Sequence, residues 1–239
     1  IPQSKDYDGT QLACVGNCTD WYQVTGLDEG DSISNIVISD TQTLANASNP
    51  KHYNIESWTI VNARGNDVTA KYVNVATDTN NAYLTVYPVQ MSVTTGTKRD
   101  FIYDGTSHIW HEYTTNGLVN GDFIDENHVN FTAERRNVGT SSNRMVPVVT
   151  ILNSEGQNVT DSYVQNFYYG EITVNPKPVT VKANDAQKEY GQLDPTFSTV
   201  VNGIIDDYSI SYELVRTEGE EPGTYTITPI GAAEQGNYA

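Results

Sequence analysis

Asn62-Ala-Arg-Gly65-Asn-Asp67-Val68-Thr69-Ala-Lys-Tyr72 is echoed 91 residues later by Asn153-Ser-Glu-Gly156-Gln-Asn158-Val159-Thr160-Asp-Ser-Tyr163. Asn-x-x-Gly is turn chemistry, with glycine free to take positive φ. The Val-Thr-x-x-Tyr that follows reads either as a return strand or as a short turn that tucks the tyrosine into a core. Upstream, Gly26-Leu27-Asp-Glu-Gly30-Asp31 returns at the same spacing as Gly117-Leu118-Val-Asn-Gly121-Asp122, and once more as Gly203-Ile204-Ile-Asp-Asp207. Each copy opens on a tyrosine turn: Tyr7-Asp8-Gly9-Thr10, Tyr103-Asp104-Gly105-Thr106 and Tyr190-Gly191. Repetition at this length indicates an array of similar small domains, not one large enzyme core.

The joints are marked by short strands that end in proline. Tyr83-Leu-Thr-Val-Tyr-Pro88 corresponds to Gly170-Glu-Ile-Thr-Val-Asn-Pro176, and new alternating segments, Val89–Val93 and Pro178–Lys182, follow. Proline cannot donate to a β ladder, so it suits the point where one sheet stops. This sets three modules, 1–88, 89–176 and 177–239. The first lacks a leading strand and the third a closing strand, as expected of a piece of a longer array. Further strands are expected at Ser57–Ala63, Arg144–Leu152 and Thr224–Pro229, with one short helix per module, placed in the first at Thr41–Ala47.

The composition agrees with strands. Tyr contributes 16 residues against 5 Phe, beside recurrent Thr, Val and Ile. The net charge of −17 repels nucleic acid and anionic lipid, so neither is an expected partner. No run approaches the roughly 20 apolar residues of a membrane helix. Cys14 and Cys18, the two cysteines, read as a local disulfide in an exported protein, or as two reduced thiols in a loop.

Several constellations are weighed for chemistry. His108-Ile-Trp-His111 places its histidines on opposite faces of a strand, and the metalloprotease order is absent. Asp122, Asp125 and Glu126 form a candidate Ca²⁺ loop, set against the plainer reading of solvated turn acids. Lys5 and Lys188 precede their tyrosine turns by two residues, a position from which an isopeptide crosslink to Asn is conceivable; Phe101 stands there in the second module. No nucleophile elbow or phosphate loop is present, and an enzyme is not expected. Tyr7, Tyr72, Tyr103, Tyr163, Tyr190 and Tyr238 recur and read as structural. Trp21, Tyr22, Trp110, Tyr168 and Tyr169 do not recur in every unit and are the candidate ligand-binding aromatics.

The repeated residues resemble the bacterial surface modules known as MBG and YDG domains. In the third unit the resemblance rests on Lys177-Pro-Val-Thr-Val-Lys-Ala183, Lys188-Glu-Tyr190-Gly191, Asp194-Pro195, Val201-Asn-Gly203, Pro222-Gly-Thr-Tyr-Thr-Ile227 and Asn237-Tyr238. The second unit carries Tyr103-Asp-Gly105, Gly117-Leu118, Gly121-Asp122, Val138-Gly-Thr140 and Ile172-Thr-Val174; the first departs most. The resemblance implies a mainly β fold of tandem small modules, β-grasp-like or Ig-like sandwiches, in bacterial cell-surface or cell-wall proteins. It implies no catalytic residues and no cofactor beyond the Ca²⁺ considered above. The expected role is a semi-rigid, monomeric stalk within a longer array, presenting an adhesive head. The alternative is an adhesin whose modules themselves bind host mucin, glycan or surface protein.

Overall fold

The computed structural model describes residues 1–119 and 121–239; Asn120, inside the second Gly-Leu segment, lies outside the described residues. The protein is mainly β, built of several small sheets with helical structure limited to three-residue 3-10 turns among the described residues. By contact the chain forms two compact units: residues 1–93, 115–129 and 147–168, and residues 94–114, 130–146 and 169–239.

The twice-repeated stretch folds the same way in both copies, and its side chains show why. Asn62 Oδ1 accepts from the Arg64 and Asn66 amides at 2.9 and 3.1 Å, and Gly65 closes the turn at φ +79°. Asn153 does the same for Glu155 and Gln157, with Gly156 at φ +77°. Asp67 and Asn158 then accept from the amides of Thr69 and Thr160. Those threonine hydroxyls in turn accept from Ile60 and Ile151 at 2.8 and 2.9 Å. Local side-chain bonds of this kind satisfy the backbone without a ladder. The chain therefore enters a 3-10 turn, Thr69–Lys71 or Thr160–Ser162, and the expected alternative of a return strand does not form.

In the first unit, Gln3–Asp6 runs parallel to Tyr83–Tyr87, with Lys51–His52 antiparallel on its other side. The longest pair, Ser32–Ile38 with Ile55–Val61, is antiparallel with two register shifts. Ile36, Ile38, Tyr53, Ala82 and Leu84 form the core here. Its second-repeat portion pairs Phe123–Ile124 with Ile151–Leu152. In the second unit, Glu171–Asn175 lies between Gly139–Ser142, antiparallel, and Lys98–Ile102, parallel. Ile172 and Val174, at 0 and 1% exposure, alternate with half-buried neighbours, the period of two that one buried strand face requires. Tyr103, Val174 and Tyr238 form the core beside them. Both closing strands stop at the residue before Pro88 or Pro176.

Two expectations are corrected. Thr41–Ala47 is not a helix: Thr41–Gln42 pairs with Leu12–Ala13, and Asn46 is drawn against the closing strand. The Asn46 side chain donates to Leu84 O at 2.9 Å and accepts from Val86 N at 2.7 Å, a pairing that needs extended chain. Arg144–Leu152 is not one strand either. Only Ile151–Leu152 is, because Pro147 interrupts the segment and cannot donate to a ladder.

Candidate functional site

The side chains that recur in sequence meet in space. In the first unit, the Tyr7 hydroxyl of the first repeat donates to Asp122 Oδ2 of the second at 2.9 Å. Tyr163 donates to the same oxygen at 2.5 Å, and its own oxygen accepts from the Val119 amide at 2.9 Å. The two rings meet edge to face, 5.5 Å apart at 76°, a geometry their quadrupoles favour. In the second unit, Tyr103 of the second repeat donates to Asp206 Oδ2 at 2.8 Å, and Tyr238 donates to Oδ1 at 2.7 Å. Tyr238 accepts from the Ile205 amide, and the rings again lie edge to face, 5.6 Å apart at 85°. Each joint is therefore a carboxylate held between a tyrosine of its own repeat and the turn tyrosine of the repeat before it.

The turn glycine completes the fit. Gly9 and Gly105 sit at φ +77° and +81°, and a Cβ there would meet Val119 at 3.4 Å or Ile205 at 3.6 Å. The turn is held by Asp8 and Asp104, which accept from the amide and hydroxyl of Thr10 and Thr106. The Asp8 carboxyl is drawn down to about 2, first by Lys5 and then by Thr10.

The first repeat has the same aspartate–tyrosine pair without a tyrosine from elsewhere. Tyr72 donates to Asp31 Oδ2 at 2.5 Å and accepts from the Asp28 amide at 2.9 Å. Lys71 Nζ supplies the other contact to that carboxylate oxygen, at 2.9 Å, and pairs also with Asp28 at 2.5 Å. Ser162 and Asn237 stand at the position of Lys71 in the later repeats. Tyr72 and Lys71 thus hold Asp31 below the ordinary carboxylate range.

The joints leave a titration signature. Burial, then the Asp122 hydrogen bond, push Tyr7 and Tyr163 well above the ordinary phenol value. A phenol whose folded pKa is raised stabilises the fold fully below the unfolded value of about 10 and loses that contribution as pH rises further. In an alkaline titration followed by tyrosinate absorbance, Tyr7 and Tyr163 are expected to stay protonated until the chain unfolds. Titration of all 16 tyrosines together in the folded protein would contradict this. Asp206 works in the opposite direction. Tyr238 and Tyr103 lower its pKa, so its contribution is present above the ordinary carboxylate value and fades as pH falls through the lowered one.

The candidate ligand aromatics do not fall in one unit. Trp21 lies 5.4 Å from the Tyr53 ring and, with Tyr22, packs against the core of the first unit. Burial pushes the Tyr22 phenol up. Tyr168, also in the first unit, is 60% exposed. Trp110 and Tyr169 belong to the second unit. Trp110 meets Phe101 edge-on and carries Lys98 Nζ 4.8 Å from its ring, while Arg144 covers Tyr169 at 5.2 Å.

Nor do the candidate calcium ligands converge. Asp122 is taken by the two tyrosines; Asp125 caps the turn Glu126–His128 and pairs with His128 at 2.5 Å. Among the described residues, no three His, Cys, Asp or Glu side chains are grouped to hold an ion. His108 stacks on Phe101 and His111 lies against Phe131, so the two histidines face different rings. Lys5 Nζ is held by Asp8 and Thr10, and Lys188 Nζ by Asp194 and Glu220. Cys14 and Cys18 are joined as a disulfide.

Sequence reasoning passed over Asp122 and Asp206 as structural groups. The available signal was an aspartate shortly after Gly-Leu or Gly-Ile, five residues after Gly117 for Asp122 and three after Gly203 for Asp206, matched to a tyrosine that recurs with it.

Residues 179–239 match the family model described as MBG domain (YGX type), in agreement with the resemblance of the third repeat, which reads Tyr190-Gly191-Gln192. A match of this kind points to a bacterial surface-associated repeat module. No curated protein and no solved structure matches the chain.

Proposed function

We propose that this chain is a non-catalytic stalk segment of a bacterial surface protein, in which each repeat is coupled to the next by a tyrosine–aspartate–tyrosine joint whose tyrosines are buried. The observation that carries this reading is the fate of the recurring polar groups. Tyr7, Tyr103, Tyr163 and Tyr238 are 6% exposed or less, and the carboxylates they share, half-buried Asp122 and exposed Asp206, each accept from two of them. Residues spent on holding repeats together are what a load-transmitting array requires, since solenoid-like chains derive stability from nearest-neighbour interfaces. The Cys14–Cys18 disulfide suits an oxidising, extracellular setting. No described helix is long and apolar enough to cross a membrane.

The alternative, direct adhesion to host mucin, glycan or surface protein, draws support from Tyr168, whose ring stands 60% exposed on its strand. The two readings separate in one experiment. The purified chain is passed over immobilised mucin and a broad glycan panel at physiological salt, with and without Ca²⁺. The stalk reading expects flat responses in both conditions. Saturable binding that is lost in Tyr168→Ala would replace it with the adhesin.

A further inference from the structure

We propose that the residue before the closing tyrosine, Ser162 or Asn237, is the specificity-determining contact of its joint. It is matched in reach to the apolar residue under the turn glycine, so that each repeat fits its own neighbour and not the other; this rests on the coupled-array reading above. A second bond crosses each joint. Ser162, 1% exposed, accepts at Oγ from the Ala45 amide at 3.1 Å. Asn237 Oδ1 accepts from the Val138 amide at 2.9 Å. Ala45 and Val138 hold equivalent places in the preceding repeat. The residue after each, Asn46 or Gly139, pairs with Val86 or Val174, and each valine stands two before the proline that ends its strand. Each joint therefore grips its neighbour at the shared aspartate, at the turn glycine and at this amide, all inside one compact unit.

These contacts change together from joint to joint. Under Gly9 the nearest atom is Val119 Cγ1, and under Gly105 it is Ile205 Cδ1, one covalent bond farther from its backbone. Serine Oγ and asparagine Oδ1 differ by the same one bond, so the longer seat comes with the longer latch. The aspartate follows suit. Asp122 takes both hydroxyls on Oδ2, whereas Asp206 takes Tyr103 on Oδ2 and Tyr238 on Oδ1. The ring pairs keep one spacing, 5.5 and 5.6 Å, so the difference lies in the contacts around them. In the first repeat the seat and latch positions have again changed together, to Asp28 and Lys71, which touch as an ion pair at 2.5 Å. Because interiors are close-packed, a latch one bond too long forces the neighbouring backbone outward. One bond too short leaves the amide without its acceptor. Selectivity of this kind comes from what a mismatched neighbour loses.

The test uses the intact chain, with amide hydrogen exchange read at Ala45 and Val119, both bonded within the first joint. Ser162→Ala is expected to speed exchange at Ala45 about fivefold, as loss of one hydrogen bond would. Val138, at the other joint, is expected to stay unchanged. Ser162→Asn sets the long latch against the short seat and is expected to speed exchange at both amides about tenfold, the effect of an overpacked contact. Adding Val119→Ile, which supplies the long seat, is expected to return both amides toward the parent. Two independent overpackings would instead multiply. Unchanged exchange in Ser32–Ile38 shows that a variant is folded. Ser162→Ala only removes an atom, so it keeps the test readable should the larger side chain unfold the unit. No change at Ala45 in Ser162→Ala, a Ser162→Asn that exchanges as the parent does, or a double variant no slower than Ser162→Asn would each overturn the proposal. The coupling of Tyr7 to Asp122 is measured by a separate mutant cycle, so matching and coupling fail separately.

Discussion

Tyr163→Ala is expected to destabilise the first unit by about 3 to 5 kcal/mol, the range for removing a buried aromatic side chain. Tyr163 is 6% exposed, its ring packs edge-on against Tyr7, and its hydroxyl both donates to Asp122 and accepts from Val119. Truncation opens a cavity, removes the ring pair, leaves the Val119 amide without its partner and leaves Asp122 with the Tyr7 hydroxyl alone of the two. Tyr163→Phe separates these effects, since it keeps the ring and removes the oxygen. Its expected cost is smaller, about 1 to 3 kcal/mol, set by the unsatisfied groups left behind. Urea denaturation of both variants checks the order. Equal stability of Tyr163→Ala and the parent would mean that the joint contributes nothing.

The second large effect is expected from Val174→Pro. Val174 is 1% exposed and lies in the middle strand of a three-stranded sheet, with Gly139–Ser142 on one side and Lys98–Ile102 on the other. Proline there removes a ladder donor and forces its ring into a paired backbone, at a cost of about 3 kcal/mol or more. The side chain also belongs to the core of Tyr103 and Tyr238, so the loss reaches the joint of that unit. Amide exchange in Lys98–Ile102 is expected to accelerate to that of an unfolded chain. Protection in Ser32–Ile38, which has its own partner strand and core, is expected to persist. Simultaneous loss of both would show that the units unfold as one.

The parts of this fold that were legible in the sequence are those made by neighbours along the chain. The Asn-x-x-Gly turn and the Thr that follows it involve bonds spanning nine residues or fewer, and repetition at a constant spacing exposed them; the strand that ends at proline was marked by the proline, although its ladder partners lie far away in sequence. The recurrence of Tyr7, Tyr72, Tyr103, Tyr163, Tyr190 and Tyr238 likewise marked them as structural; Tyr7, Tyr103, Tyr163 and Tyr238 are buried, whereas Tyr190 is 73% exposed. What they bind was not legible. Tyr7 and Asp122 are separated by 115 residues, and Tyr103 and Asp206 by 103, so no local pattern couples them. Asp122 instead suggested a calcium ligand because of its acidic neighbours, whereas Asp125 is occupied by His128.

The aromatic residues show the complementary error. Trp21 and Tyr22 do not recur in every unit, which suggested an exposed ligand face. They pack against Tyr53 and its neighbours in the core of the first unit. Absence from a repeat pattern records how one copy has diverged, and divergence reaches cores as well as surfaces. Pro147 carried a plainer warning, since an expected strand from Arg144 to Leu152 contained a residue that cannot donate to it.

The first repeat's own aspartate is also informative. Asp28 occupies the place of Val119 and Ile205, against which the turn glycines rest, and Lys71 occupies the oxygen that a turn tyrosine takes elsewhere. An apolar seat has thus become an ion-paired one, with the internal Tyr72–Asp31 bond kept intact. The pair is the constant part of the module.

The central claim is that one repeat is energetically coupled to the next through Tyr7 and Asp122, and a double-mutant cycle measures that coupling directly. Tyr7→Phe, Asp122→Ala and the double variant are compared with the parent by urea denaturation. The account predicts an interaction energy of about 1 to 3 kcal/mol, the range for contacting residues that share a charged hydrogen bond. Additivity of the two single effects to within about 0.5 kcal/mol would contradict it, since that is how independent sites behave.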